Sequence, residues 1–203
     1  YSPNQCLPSL IPLPDFPIVL GITGGYCAGK DVVCSLLSSR GFYEIDEDHI
    51  GHLALEYKIE EITSAFGDSV LSVDGAVDRR ALGKKVFNNP TDLESLEGIV
   101  HPWMVEETRK QIVSSDGELL LINAAILFHM GLHVLCDAVV EVTAPTLVRA
   151  FRGLRRDKIG LWQVLKRIQS QMSDKNPQHF LNERGASVDI VRVSNGGNKR
   201  ALS

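Results

Sequence analysis

Three short apolar runs stand out along the chain: Ile18-Val19-Leu20-Gly21-Ile22, Leu119-Leu120-Leu121-Ile122 and Ala138-Val139-Val140-Glu141-Val142. Each is nearly continuous rather than alternating, the pattern of parallel strands covered on both faces. Residues 42–45 and 189–193 are shorter strand-like runs. Between the runs the apolar spacing lengthens to that of a helix, over 31–39, 146–156 and 161–172. In the last of these, Leu161, Val164, Leu165, Ile168 and Met172 share one face. Strand, loop and helix in alternation predict an α/β fold built on an open parallel sheet. Residues 49–115 interrupt that alternation. They are polar, helical in period, and punctuated by Asp74-Gly75, Asn88-Asn89-Pro90 and His101-Pro102, so a helical insertion between the second and third strands is expected.

With 203 residues, 44% apolar and 23% charged, the chain is long enough to bury a sizeable core. A net charge of −4 gives no general attraction to nucleic acid or to an anionic membrane, so an anion site has to be local. Cys6, Cys27, Cys34 and Cys136 have no metal-type spacing and are too few for a disulfide scaffold, which fits a reducing cytosol. No apolar run approaches a membrane span. Residues 1–17 are proline-rich, without the basic and apolar regions of a signal peptide, and read as an irregular arm. The chain opens on Tyr1 rather than Met, so its natural start is expected upstream. The location these features predict is cytoplasmic.

Candidate chemistry begins at Gly24-Gly25-Tyr26-Cys27-Ala28-Gly29-Lys30-Asp31. Glycine, four residues and Gly-Lys is the frame of a phosphate-binding loop, and here a strand precedes it and a helix follows. Backbone N–H groups at the helix start attract phosphates, and Lys30 adds a full positive charge. The alternative is a glycine-rich turn beside an exposed lysine. Asp46 and Asp48 follow the second strand, at the sheet edge where ligands of such folds bind. A carboxylate there can accept a substrate proton, or it can cap the next helix, with Asp48 at the N-cap. Arg149, Arg152 and Arg156 fall on one helical face, either as a solvated basic stripe or as a clamp over polyphosphate.

In order along the chain come the Gly21-Ile22-Thr23-Gly24-Gly25 loop, Asp46-Glu47-Asp48-His49-Ile50, residues 74–82, Val86-Phe87, residues 96–102, residues 126–132, Arg152 and Arg156, residues 167–171 and Ser194-Asn195-Gly196-Gly197. From Ile18 to Leu202 this succession resembles the dephospho-coenzyme A kinase family. The resemblance implies a three-layer P-loop nucleotide-binding core with a parallel sheet, formed by 18–48, 113–151 and 186–203. It implies a helical substrate domain over 49–112 and a helical lid over 152–185. The implied reaction moves the γ-phosphate of ATP, with Mg²⁺, to the ribose 3′-hydroxyl of dephospho-CoA. Gly24, Gly25, Tyr26, Cys27, Ala28, Gly29, Lys30, Asp31, Val32 and Asn195 would then contact ATP. Asp48 is the implied base with Asp46 the second choice, Arg152 and Arg156 close over the triphosphate, and Arg79 and His101 serve the substrate or support its domain. A small-molecule substrate, no nucleic acid, no membrane, and a monomer or weak oligomer complete the expectation.

Several positions depart from the family pattern. Cys27 replaces a loop glycine, Asp31 the usual hydroxyl residue, Ala125 a proline and His129 a glutamate. Cys27 matters if its position needs positive φ. Asp31 repels phosphate unless a metal ion lies between them, in which case its carboxylate is a good hard ligand. Two other readings stay open: another small-molecule P-loop kinase, and a degenerate nucleotide-binding regulator without turnover.

Overall fold

The computed structural model describes residues 17–116, 119–157, 160–170 and 180–197. The arm over 1–16, Met172, and segments 158–159 and 171–179 of the expected lid lie outside the described residues. Five strands form one sheet: β1 (Ile18–Gly24), β2 (Tyr43–Asp46), β3 (Leu119–Asn123), β4 (Ala138–Thr143) and β5 (Asp189–Ser194). Every neighbouring pair is parallel, in the order β2-β3-β1-β4-β5. From β1 the chain crosses through α1 (Lys30–Ser38) to β2 at one edge, whereas β4 is added on the other side of β1. Connections thus diverge at β1 and β3, and the crevice at their carboxyl ends is the binding position of such sheets.

Burial explains why the central runs read as continuously apolar. Leu120, Leu121 and Ile122 of β3 are fully covered, each side chain contributing about 1.5–3 kcal/mol. Successive residues face opposite sides of a sheet. Leu121 therefore packs with Ile22, Val142 and, from α1, Val33 and Cys34, while Leu120 and Ile122 join the larger core beneath the insertion.

The insertion comprises α2 (Glu47–Tyr57), α3 (Ile59–Phe66), α4 (Arg79–Val86) and α5 (Pro90–Ser114). Asn89 caps α5 by accepting the Thr91 N–H at 3.1 Å, and Pro90 occupies the first helical position, where its missing N–H costs nothing. His101-Pro102, expected as a break, instead lies inside α5. Pro102 removes one helical N–H and crowds the carbonyl of Gly98. Burial of Val100 and Met104 in the larger core carries the helix through that defect. Beyond β4, α6 (Thr146–Asp157) and α7 (Leu161–Ser170) pack through Ala150, Val164 and Ile168, with Tyr26 against them. The expected core–lid boundary at 151/152 falls within α6, so Arg149 and Arg152 ride one continuous helix. Among the described residues no helix is long and apolar enough to cross a membrane.

Candidate functional site

β1 ends at Gly24 and α1 begins at Lys30, leaving a tight loop closed by the Ala28 N–H on the Gly25 carbonyl at 2.9 Å. Two glycines are required by close approach. A Cβ on Gly24 would lie 2.5 Å from the Val142 carbonyl oxygen, and one on Gly29, at φ 98°, would lie 2.1 Å from Asn195 Nδ2. Cys27 has φ 57° and is the one non-glycine residue with positive φ among the described residues. A side chain in the left-handed region costs about 1–2 kcal/mol. Cys27→Gly is therefore expected to raise unfolding stability by up to about 1 kcal/mol, since glycine's backbone freedom offsets part of the relief. Cys27→Val, β-branched in the same region, should lower it. Urea titration of the two variants checks both signs.

The loop is braced from α6 and from the segment after β5. Arg149, buried, donates its Nε–H to the Tyr26 carbonyl at 2.8 Å, and burial holds its guanidinium below the ordinary arginine range. Arg152 donates to the Ala28 carbonyl at 3.2 Å and to the Asn195 carbonyl at 3.0 Å, while Asn195 Nδ2 donates to Ala28 at 3.0 Å. Asn195, expected as an ATP contact, thus buckles the loop from behind, and Val32 on α1 lies outside the cavity lining. Arg156 sits over the Tyr26 ring at 5.2 Å and bonds Asp157 at 2.7 Å, which raises its pKa. The Tyr26 hydroxyl also donates to Asp157.

In front of the loop lies a cavity of about 540 Å³, lined by residues 24–31 together with Asp48, Ala125, Phe151, Arg152, Arg155 and Arg156. Lys30 Nζ donates to Asn123 Oδ1, and Asn123 Nδ2 donates to Glu44 Oε1 at 2.6 Å. That relay aligns the lysine and fixes the amide's orientation. Asp31 is exposed on the cavity rim. A second cavity of about 390 Å³ opens under the insertion, between α2, α5 and the segment after β3, lined in part by Glu47, Asp48, His52, His101 and Ala125. Asp48 and Ala125 border both cavities.

The two aspartates after β2 separate by position. Asp46, not Asp48, is the N-cap of α2, its Oδ1 accepting the Asp48 N–H at 2.9 Å, and it borders neither cavity. Arg79 is exposed and contacts His52 Nε2 at 2.6 Å, at the edge of the second cavity. Burial lowers the pKa of His101, with Glu97 opposing the shift. Arg155, which stands over Phe151 at 5.9 Å, was not singled out by the helical-face argument, although it completes the basic cavity wall.

Glu47 is 3% exposed, and burial pushes its carboxyl up to about 7 from the usual 4.5. Thr108 Oγ1 lies 2.7 Å from Glu47 Oε1 and 2.8 Å from the Met104 carbonyl. A hydroxyl has one proton, so a neutral Glu47 satisfies the group best by donating to Thr108 while Thr108 donates to Met104. The unfolded chain releases this proton near pH 4.5 and the folded chain near 7. The stabilisation is fully present below the lower value and is lost as pH rises to the higher one, by about 3 kcal/mol. Glu47→Gln cannot ionise and should gain stability over the parent above pH 7 but not below pH 4.5. Parallel thermal-melting profiles of the two proteins against pH would refute this.

A family model described as dephospho-CoA kinase matches residues 18–185. A dephospho-CoA kinase of Anaeromyxobacter dehalogenans is 36% identical over 192 residues, covering 91% of this chain and 87% of that one. One from Borreliella burgdorferi is 37% identical over 133 residues, and the match spans 65% of each chain, just under two thirds of that relative's length. The crystal structure of TT1252 from Thermus thermophilus superposes with a TM-score of 0.75 at 30% identity, over 92% of this chain and 93% of that one. A dephospho-CoA kinase from Campylobacter jejuni shares the fold, with a TM-score of 0.61 at 24% identity over 91% and 90% of the two chains.

Proposed function

The chain belongs to the dephospho-CoA kinase family, and from that premise we propose that it is a cytoplasmic enzyme that transfers the γ-phosphoryl group of ATP to the ribose 3′-hydroxyl of dephospho-CoA. The observation that carries this reading is the position of Asp48, a carboxylate bordering both the phosphate-loop cavity and the cavity under the insertion. A phosphoryl donor in the first and a hydroxyl acceptor in the second would meet at that residue.

In the proposed mechanism the loop N–H groups and the start of α1 hold the polyphosphate. Lys30 compensates charge on the transferred group and on the leaving ADP. Asp48 takes the proton of the 3′-hydroxyl as its oxygen bonds to the γ-phosphorus and the bond to the β–γ bridging oxygen breaks. Asp46 serves the geometry by capping α2. Arg152, Arg155 and Arg156 line the donor cavity and face the triphosphate, and Arg152 also holds the loop backbone. His101, with Arg79 through His52, borders the acceptor. The described helices of the lid are the end of α6, from Arg152, and α7.

Asp31 lines the donor cavity and offers a hard carboxylate oxygen of the kind Mg²⁺ takes, so the residues present fit this ion. When bound, it neutralises charge on the β- and γ-oxygens. Without metal, Asp31 repels phosphate. At 4 Å and an effective dielectric of 20 the repulsion is about 4 kcal/mol before the screening its exposed position allows. Asp31→Ser is expected to bind ATP several-fold more tightly than the parent in the presence of a chelator. Equal metal-free affinities, by equilibrium dialysis, would remove Asp31 from the phosphate site.

The proposed reaction is tested by incubating the purified chain with ATP, Mg²⁺ and dephospho-CoA and detecting coenzyme A by mass. ATP consumption that does not depend on dephospho-CoA, or product from another acceptor alone, would refute it.

A further inference from the structure

We infer that Glu97, His101 and His129 form a binding site for a divalent late transition metal of the Zn²⁺ class, separate from the phosphate loop. Glu97 and His101 lie four residues apart on α5, so their side chains share one helical face. His129 arrives from the segment between β3 and β4. One ligand atom from each of the three lies within 4.8 Å of the others, and His129 Nε2 is 3.0 Å from Glu97 Oε2. Bonds of about 2.0–2.1 Å in a tetrahedral site place donors about 3.3 Å apart. The His129–Glu97 pair, hydrogen-bonded at 3.0 Å, is within about 0.3 Å of that spacing. Bringing His101 in requires a movement of no more than about 1.5 Å on this geometry, within reach of a side-chain adjustment. Its ring now stands edge-on to His129, with centroids 5.7 Å apart.

The donor set selects the ion. Two imidazoles and one carboxylate suit Zn²⁺ and its neighbours, whereas Mg²⁺ takes oxygen ligands and keeps its waters. Three protein ligands leave a fourth position open, the arrangement of an accessible rather than a sealed zinc site. Entry is from solvent, because His129 is exposed while Glu97 and His101 are half-buried. The site shares His101 with the wall of the acceptor cavity, but its test reads metal binding and needs no turnover.

The test is titration of the full chain with Zn²⁺ by calorimetry in excess Mg²⁺, and with Co²⁺ followed by visible absorption. One Zn²⁺ site is expected, with a Co²⁺ spectrum of low coordination number. Loss of even an outer partner of a metal ligand costs about 10–100-fold in affinity, so His129→Gln and Glu97→Gln should each weaken binding by about 100-fold or more. Melting without metal checks that each variant is folded. On the unsubstituted chain, Zn²⁺ should protect His101 and His129 from diethylpyrocarbonate, read by peptide mass mapping. An unchanged affinity in either folded variant, no saturable Zn²⁺ binding, or full modification of both histidines in the presence of Zn²⁺ would overturn the site.

Discussion

Lys30→Ala is expected to lower phosphoryl transfer by about 10³-fold or more, with a smaller effect on ATP affinity. The lysine stands at the first position of α1, where the helix start and loop N–H groups already attract phosphate. Ground-state binding is therefore shared among several donors. Charge that builds on the leaving oxygen and the transferred group is less evenly shared, and a mobile ammonium is suited to follow it. The relay through Asn123 to Glu44 holds that ammonium in place before substrate arrives. Lys30→Arg keeps the charge, but a longer planar group does not fit the Asn123 contact, so it should restore little activity. Near-parent turnover in Lys30→Ala, measured under ATP saturation, would separate the loop from the chemistry.

The parallel sheet was legible because strands covered on both faces leave nearly continuous apolar runs, as β1, β3 and β4 do. Pro102 was misread because local rules place a proline at a break, while the helix around it is held by contacts from distant parts of the chain. The phosphate loop was legible because glycine spacing records close backbone approach, seen at Gly24 and Gly29. The arginine stripe was harder. Helical spacing gives direction but not partner, so it grouped Arg149, Arg152 and Arg156 as equals. In the fold Arg149 and Arg152 hold the loop's carbonyls, and Arg155 joins Arg152 and Arg156 at the cavity. Glu47 was hidden for a similar reason. Flanked by Asp46 and Asp48, it reads as part of a solvated acidic turn, yet the first turn of α2 rotates it into the protein.

That same turn sets the two aspartates apart in position. Asp48→Asn is expected to lower turnover by about 10²–10⁴-fold, the usual worth of a general base. The amide keeps the size and hydrogen-bonding reach of the carboxylate but cannot take the 3′-hydroxyl proton. ATP affinity should change little in the absence of metal. Asp46→Asn is the matched control, because asparagine caps a helix as well as aspartate and the α2 N-cap survives the change. Its turnover should stay close to that of the parent. The contrast follows from one fact of backbone geometry: α2 begins at Glu47, so Asp46 spends its carboxylate on the Asp48 N–H while Asp48 faces the junction of the two cavities. Single-turnover measurements with ATP prebound isolate the chemical step. A large loss in Asp46→Asn with a small one in Asp48→Asn would exchange their roles, and equal small losses would leave the reaction without a carboxylate base.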